Sequence, residues 1–458
     1  MKELRDTDLL LTGIKRVHMI GIGGSGMCPL AEILHSKGYE LTGSDNNEGD
    51  TLNRIKKLGI KVYMGHSAEN ISGAELVVYS AAISEDNPER VAAKEKGIPQ
   101  MERSKLLGAL TRHYDNVIGV CGTHGKTTTS SMITQILYLN KMEPSAVIGG
   151  KLPVIGSNGI CGTSDILVCE SCEFVNTFLE MSPDVSVLLN IDNDHLDYFK
   201  TMENLCESFR KFVSMSKLCF CNGDDLLVKK AVKGIDADII TFGLEDDNTY
   251  YPMNVHPSKF GFAFDVYKAG EKLIDFELKV PGKHNVLNAL AAIAVCDYLG
   301  VSARGIKSAL EEFKGAGRRF EFYGEFGGFM LADDYAHHPT EIAATLSAAH
   351  DLNYNKVIAV FQPFTFSRTA LLLEEFIQAL NIADKVILTP IMGSREVNTY
   401  GISSQDIAKG IKDCVCVDDF DGAVDEIIRS AGDGDIVITM GGGDIYKVCH
   451  KITDKFSK

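Results

Sequence analysis

The chain has 458 residues, and at roughly 150 residues per domain this length predicts three domains. Its 62 acidic residues outnumber 46 basic ones, and the formal net charge of -16 argues against a nucleic-acid-binding protein. No apolar stretch approaches the roughly 18 residues that a membrane span needs, and the polar start lacks the apolar segment of a secretory signal. We therefore expect a cytoplasmic protein without membrane insertion, and its scattered cysteines fit a reducing compartment.

The first segment carries a glycine-rich turn between a predicted strand, residues 17–20, and a predicted helix, residues 31–37. Residues 21–26 have the Gly-x-Gly-x-x-Gly spacing that lets a backbone approach a pyrophosphate at a helix N-terminus. Asp45 follows the next strand, about 20 residues beyond the last glycine, where an acid can bind a ribose. Taken alone, this motif favours an NAD-dependent oxidoreductase. With strands also predicted at 39–42, 61–63, 76–79 and 98–100, we expect a Rossmann-like domain over residues 1–111.

A second glycine-rich turn, residues 122–129, follows an apolar run at 117–120 and opens a predicted helix at 130–138. Its backbone N–H groups and the helix N-terminus suit phosphate, while Lys126 can reach the outer phosphates and Thr127 can ligate Mg²⁺. The spacing is a shortened form of the phosphate loop of nucleoside triphosphatases, and a chance Gly-Lys-Thr sequence is the alternative. The nucleotide-binding candidates in this turn are Gly122, Thr123, His124, Gly125, Lys126, Thr127 and Thr128.

Two further polar side chains follow strands of the same predicted sheet. Glu170 comes directly after the apolar run 166–169, and His195 lies in an acidic stretch after the run 185–189. Because the carboxyl ends of parallel strands meet at one edge of a sheet, both residues are candidates to hold Mg²⁺ beside the phosphates. The alternatives are a solvated loop acid and a capping or surface histidine. We expect a central, doubly wound, P-loop ATPase-like domain over residues 112–316.

The carboxy-terminal part restarts an α/β pattern after the hinge-like residues 315–319, and upstream of it residues 282–285 lead into a predicted helix at 286–299. Asp334 can accept hydrogen bonds from ribose hydroxyls, and His337 can face phosphate if a cleft closes between the second and third domains. The alternative is a plain helix N-terminus with Asp334 as its cap. Strands predicted at 329–332, 357–361, 385–388 and 436–439 indicate a third, Rossmann-like α/β domain over residues 317–458.

In chain order, these motifs resemble the Mur ligase family of ATP-dependent amide-bond-forming enzymes. Further matches to that family are residues 282–288, 333–341, 362–363 with 367–369, and 398–403. The resemblance implies that the first glycine-rich turn holds the uridine diphosphate of a sugar substrate and no nicotinamide. The implied contacts to the UDP-sugar are Gly23, Gly24, Ser25, Gly26, Ser44, Asp45 and Ser80.

The resemblance also implies that the central domain binds ATP and Mg²⁺. Lys126, Glu170 and His195 would be catalytic, and Thr127 would place Mg²⁺ together with the latter two. Arg368 would hold the carboxylate of an amino acid by a bidentate pair. Outside the phosphate loop, the implied ATP contacts are His284, Asn285, Asn288, Arg319, Asp334 and His337.

The implied reaction joins L-alanine to the lactyl carboxylate of UDP-N-acetylmuramate through an acyl phosphate, in peptidoglycan precursor synthesis. Its substrates are small molecules, no nucleic acid takes part, and the chain is expected to be a monomer or a homodimer.

Two positions qualify this expectation. Phe364 stands where related L-alanine ligases usually carry histidine, so a paralogue joining another amino acid or a peptide is the alternative. Lys211 lies near the carbamylated lysine of sister ligases and is left out of the site, since the L-alanine branch generally lacks that lysine. An NAD-dependent oxidoreductase and a nucleotide-responsive protein without catalysis are the competing classes.

Overall fold

The structure is a computed structural model that describes residues 5–394 and 396–457, and it divides into two compact units. Three largely parallel β-sheets with flanking helices confirm the predicted α/β fold class. All twelve cysteines are free. Over the described ranges, no helix is long and apolar enough to cross a bilayer. Unit 1 comprises Met1–Met253, Asp265–Asp275 and Leu287–Leu310, and unit 2 comprises Asn254–Phe264, Phe276–Val286 and Glu311–Lys458.

The amino-terminal sheet belongs to unit 1, and all of its strand pairs are parallel. Its strands are β1 Arg16–Ile20, β2 Glu40–Asp45, β3 Lys61–Met64, β4 Leu76–Tyr79 and β5 Gln100–Glu102. They lie in the order β3-β2-β1-β4-β5, so the winding direction reverses beside β1 and opens a crevice at its carboxyl end. The accompanying helices are α1 Asp6–Leu9, α2 Cys28–Ser36, α3 Asp50–Lys57, α4 Pro88–Glu95 and α5 Arg103–Thr111.

The second sheet has ten strands, and its centre positions the candidate nucleotide site. The strands are β6 Asn116–Cys121, β7 Ser145–Leu152, β8 Ser157–Ile160, β9 Ile166–Glu170, β10 Val185–Leu188, β11 Leu218–Asn222, β12 Asp238–Phe242, β13 Tyr250–Pro257, β14 Phe262–Lys268 and β15 Glu271–Leu278. In the order β15-β14-β13-β12-β11-β10-β6-β9-β7-β8, strand β6 lies between β10 and β9 and is parallel to both. The residues that follow these three strands therefore meet at one edge.

The helical segments that follow strands of the second sheet differ from the prediction mainly at their starts. The predicted helix 130–138 begins earlier, at Lys126, because Gly125 is left-handed and starts the helix there. The segments are α6 Lys126–Leu139, a 3-10 segment Phe174–Glu180, α7 Leu196–Phe199, α8 Met202–Val213, α9 Leu226–Val232, α10 His284–Tyr298 and α11 Ala303–Glu311.

The third sheet lies in unit 2 and has six strands. These are β16 Glu321–Phe326, β17 Phe329–Asp334, β18 Val357–Phe361, β19 Lys385–Leu388, β20 Cys414–Cys416 and β21 Ile436–Met440, in the order β16-β17-β21-β18-β19-β20. Only β16 pairs in the antiparallel sense, and β18 and β21 are fully buried, as central parallel strands are. The helices of this part are α12 Pro339–Asp351, α13 Phe366–Leu371, α14 Leu373–Leu380, α15 Ser404–Ala408, α16 Phe420–Ser430 and α17 Lys447–Phe456.

Candidate nucleotide and substrate sites

The predicted phosphate loop joins β6 to α6, and two of its glycines have left-handed backbone angles. Gly122 has a φ of 134° and Gly125 a φ of 86°. A Cβ on Gly125 would also collide with the side-chain oxygen of Asn288, which lies within reach of the Thr129 hydroxyl at 3.3 Å. Asn288 therefore lies against the loop itself. Because α6 begins directly after Gly125, the N–H groups of its first turn start at the loop, as an anion site requires.

A reciprocal pair of hydrogen bonds attaches the loop to the segment that follows β10. The backbone N–H of His124 donates to Asn190 Oδ1 at 2.8 Å, and Asn190 Nδ2 donates back to the His124 carbonyl at 3.0 Å. The backbone N–H of Asp192 donates to Thr123 Oγ1 at 2.9 Å, and Asp192 Oδ2 lies 3.0 Å from His124 Nε2. Sequence reasoning missed Asn190 and Asp192, although both stand in the acidic stretch that carries His195.

Lys126 turns back over its own loop and meets a buried carboxylate. Its Nζ donates to the carbonyls of Gly122 and Thr123 at 2.5 and 2.9 Å. It also donates to both carboxylate oxygens of Glu173, at 3.0 and 3.3 Å. Burial by itself lowers the pKa of Lys126, but the negative groups around it, first among them Glu173, together outweigh burial and raise this pKa above its ordinary value. The lysine is thus a fixed cation, and Glu173 is a second residue that sequence reasoning missed.

Thr127 and Glu170 form a pair of hard oxygen donors beside the loop. Thr127 Oγ1 donates to Glu170 Oε2 at 2.8 Å, and the backbone N–H of Gly149 donates to the same oxygen at 2.7 Å. A Cβ on Gly149 would lie 2.5 Å from Glu170 Oε2 and 2.8 Å from Thr127 Oγ1, so glycine keeps this place open. Thr128 follows in the first turn of α6 and is buried. The predicted meeting of Thr127 and Glu170 is present in the structure.

His195 precedes α7 and has a left-handed φ of 56°. Its Nε2 lies 3.5 Å from Asp194 Oδ2, and its ring lies 4.8 Å, centroid to centroid, from that of Phe174. Within the part of the chain that the structure describes, no hydrogen bond or ion pair joins His195 to Thr127 or Glu170. A non-glycine residue in this backbone region is uncommon and concentrates at functional sites. The role of His195 at a metal stays a prediction.

The amino-terminal glycine-rich turn follows β1 and is held by Asp45 at the end of β2. The backbone N–H of Gly23 donates to Asp45 Oδ2 at 2.9 Å, and a Cβ on Gly23 would lie 3.0 Å from that oxygen. The guanidinium of Arg103 lies 3.2 Å from the place of a Cβ on Gly26. Sequence reasoning missed Arg103, which adds a cation to a turn suited to pyrophosphate.

Ser44 lies beneath this turn and is fully buried. Its hydroxyl donates to Glu89 Oε2 at 2.6 Å and lies 3.1 Å from His66 Nδ1. Glu89 is also within 3.6 Å of His18 Nε2 and accepts from the amide of Asn70 at 2.5 Å. Burial alone raises the pKa of Glu89, but these partners outweigh it and lower the pKa to about 2. We therefore place Ser44 in a supporting network under the turn.

The remaining predicted UDP-sugar residues lie in the same turn or after β4. Gly24 and Ser25 continue the turn, and the Ser25 carbonyl accepts from the amide of Asn158 in β8. Ser80 directly follows β4, and its hydroxyl accepts from the backbone N–H of Ala82 at 3.4 Å. These residues therefore surround the crevice end of the amino-terminal sheet.

In unit 2, Asp334 ends β17 and is almost fully buried. Its two carboxylate oxygens accept from the backbone N–H groups of Phe320 and Ala336 at 2.8 and 2.7 Å. Burial raises the pKa of Asp334 to about 6, against the opposing charge of Arg319. The cap of α12 is His338, whose Nδ1 accepts from a backbone N–H, so the alternative role of Asp334 as this cap is wrong.

The two hinge arginines have different surroundings in unit 2. Arg318 pairs with Asp333 at 2.9 Å and donates to the carbonyls of Gly441 and Gly443 at 2.7 and 3.0 Å. Arg318 therefore links β17 to the segment that follows β21. Both guanidinium groups also lie near the Tyr335 ring, 4.9 Å from its centre for Arg318 and 5.3 Å for Arg319.

Three more predicted residues lie on loops and helix starts of unit 2. His284 is the first residue of α10, and the Asn285 amide after it donates to the Pro281 carbonyl at 2.6 Å. His337 Nδ1 lies 3.3 Å from Glu341 Oε2 and 3.0 Å from the carbonyl of Tyr335.

Phe364 and Arg368 are neighbours across the start of α13. The guanidinium of Arg368 donates to the Phe364 carbonyl at 3.2 Å. The Phe364 ring meets the His337 ring edge-on, with centroids 6.1 Å apart. An aromatic ring that packs on His337 therefore stands at the position where related L-alanine ligases usually carry histidine.

Comparison with known proteins covers nearly the whole chain. Residues 16–115, 120–296 and 318–443 match, in this order, the Mur ligase family catalytic domain, the Mur ligase middle domain and the Mur ligase glutamate ligase domain. The UDP-N-acetylmuramate-L-alanine ligase of Acetivibrio thermocellus is 45% identical over 443 residues, which are 95% of this chain and 94% of that protein. The enzyme of the same name from Caldanaerobacter subterraneus is 42% identical over 457 residues, 98% and 99% of the two chains. Among solved structures, the UDP-N-acetylmuramate-alanine ligase of Thermotoga maritima has a TM-score of 0.83 at 30% identity, covering 97% of this chain and 99% of that one.

Proposed function

Because this chain belongs to the Mur ligase family, we propose that it joins L-alanine to the lactyl carboxylate of UDP-N-acetylmuramate at the expense of ATP, in the cytoplasm, as a step of peptidoglycan precursor synthesis. The observation that carries this proposal is the phosphate loop in which the consecutive residues Lys126 and Thr127 each meet a carboxylate. Full-length relatives that carry the name of this activity support the choice of substrates.

The reaction has two chemical steps. The lactyl carboxylate attacks the γ-phosphorus of ATP, the bond to the β–γ bridging oxygen breaks, and ADP leaves with an acyl phosphate formed. The amine of L-alanine then attacks the acyl carbon and loses a proton, and inorganic phosphate leaves as the amide forms. Lys126 faces the developing phosphate charge in both steps, and the backbone N–H groups at the start of α6 hold the phosphates.

Thr127 and Glu170 fit a magnesium site, since Mg²⁺ prefers hard oxygen ligands and Gly149 places no side chain against their oxygens. We propose that these two residues hold Mg²⁺ with His195 as a third ligand. When bound, Mg²⁺ neutralises phosphate charge.

Substrate recognition is distributed over the other loops. The turn with Gly23 and Gly26, together with Arg103, would take the uridine diphosphate. Asp334 and Arg319 would contact ATP, and Arg368 would bind the carboxylate of the amino acid.

The test is ATP-dependent ADP release with UDP-N-acetylmuramate and Mg²⁺, comparing L-alanine, glycine, L-serine and no amino acid, with the product mass measured. Strongest release with L-alanine and a mass gain of one alanyl unit is the expected result. Strongest release with another amino acid would favour the alternative raised by Phe364, a paralogue that joins a different amino acid. No release with any of them would overturn the proposal.

A further inference from the structure

Glu173 is a buried carboxylate that the reaction as described above leaves without a role. Its side chain is only 2% exposed, and its partner is the ammonium group of Lys126. A carboxylate this deeply buried is rare unless it is paired, because desolvation of a charge is costly. Resting on the proposed function, we propose that Glu173 is a positioning residue that holds Lys126 over the phosphate loop for phosphoryl transfer.

The lysine side chain needs such a partner. A lysine stem has four rotatable carbons, and its ammonium group is a point charge with no preferred direction of approach. The carbonyls of Gly122 and Thr123 hold Nζ from the loop side, and Glu173 supplies the charged acceptor. Because a displacement of about 1 Å can reduce a reaction rate about a hundredfold, fixing this cation has a kinetic effect.

The segment that leads to Glu173 is attached to the second sheet. Strand β9 pairs with β6, and beyond its end the backbone N–H of Ser171 donates to the Val120 carbonyl at 2.8 Å. One short segment thus presents two carboxylates to two consecutive residues of the loop. Glu170 meets Thr127 on the metal-binding side, and Glu173 meets Lys126.

The carboxylate of Glu173 and a triphosphate both attract the same ammonium group. Removing the charge of Glu173 should therefore strengthen the attraction of Lys126 for nucleotide while loosening the position of its Nζ. The proposal predicts tighter ground-state binding together with slower turnover, a combination that points to lost positioning. A merely structural role would weaken the loop and hence the binding of nucleotide.

The experiment compares Glu173→Gln with Lys126→Ala in the full chain. We expect Glu173→Gln to lower kcat about tenfold to a hundredfold and to bind a non-hydrolysable ATP analogue about threefold or more tightly by calorimetry. Lys126→Ala should bind the analogue more weakly than the wild type. Glu180→Gln is the matched control, because Glu180 ends the 3-10 segment that begins directly after Glu173 and pairs with the exposed Arg5. This variant should leave both quantities within about twofold.

Two results would overturn the proposal: weaker analogue binding by Glu173→Gln, or an unchanged kcat. If Glu173→Gln does not fold, Glu173→Asp keeps the charge and should keep the wild-type affinity for the analogue with a reduced kcat; a lower affinity would contradict the proposal. Failure of the proposed function is distinguishable, since the binding comparison uses no amino acid and no UDP-sugar.

Discussion

Arg368 is the residue that we propose to bind the carboxylate of the amino acid. Its planar guanidinium matches a carboxylate with two parallel hydrogen bonds, and it already donates to the Phe364 carbonyl. Arg368→Lys keeps the charge and loses that geometry, so the KM for L-alanine should rise about tenfold with the KM for ATP unchanged. Steady-state kinetics with each substrate varied in turn checks this. An equal rise in the KM for ATP would contradict the assignment.

Residues that follow a recognisable motif were predictable one by one, and so was the meeting of Thr127 with Glu170, but their other partners were not. Lys126 and Thr127 are part of a spacing with a known mechanism, and Glu170 follows an apolar strand. Glu173 and Arg103 carry no such mark, since each becomes significant only through a neighbour distant in sequence. The signal that could have indicated Glu173 is a carboxylate three residues beyond a strand that lies beside the strand leading into the phosphate loop.

The turn between β6 and α6 makes strict demands on its backbone, since Gly122 and Gly125 both have a positive φ. Gly125→Ala would place a Cβ against Asn288 at a φ of 86°, so the loop must move, and we expect ADP formation to fall about a hundredfold or more. Gly156→Ala is the matched control, because Gly156 has a φ of 65° with nothing within 4 Å of its Cβ. It should cost about 1 kcal/mol of stability with normal turnover. Similar turnover in both variants would show that the contact with Asn288 has no influence.

The first turn of α4 supplies Glu89 to the network under the amino-terminal turn. Folding lowers the pKa of Glu89 from 4.5 to about 2, so this carboxylate stabilises the fold above pH 4.5 and the effect is lost as the pH falls from there toward 2. Over that range Glu89 should lose its contribution to the free energy of unfolding, which is up to about 3 kcal/mol. Glu89→Gln should be less stable than the wild type at pH 7, and the difference should shrink at pH 3.

Denaturant unfolding followed by circular dichroism measures this, because the chain has no tryptophan for fluorescence. Glu89→Asp, which keeps the charge, is the control. A difference between wild type and Glu89→Gln that stays constant from pH 7 to pH 3 would contradict the role of the charge.

At the scale of the whole molecule, the two glycine-rich turns belong to two different sheets. If the UDP-sugar and ATP have separate sites, Lys126→Ala should reduce the rate of ADP formation about a hundredfold to a thousandfold. The same variant should bind UDP-N-acetylmuramate as tightly as the wild type. An ADP assay and calorimetry with the UDP-sugar measure the two effects. Retained turnover, or lost UDP-sugar binding in a folded variant, would contradict the assignment of the two turns.

The sequence by itself determined the α/β class, the three sheets in chain order, the family and the positions of the two glycine-rich turns. These follow from local patterns: apolar runs, glycine spacings and hydroxyl residues at helix starts act over a few neighbouring positions. The expected boundaries of the three domains stay a prediction.

Beyond the meeting of Thr127 with Glu170, only the tertiary structure decided which side chains lie next to one another. The pairing of Lys126 with Glu173, of His124 with Asn190, and the burial of Ser44 on Glu89 depend on strand order and register. Parallel strands bring together residues that are far apart along the chain, and no short-range pattern records which strand lies beside which. The motifs can therefore be recognised in the sequence, whereas the contacts that position them depend on tertiary packing.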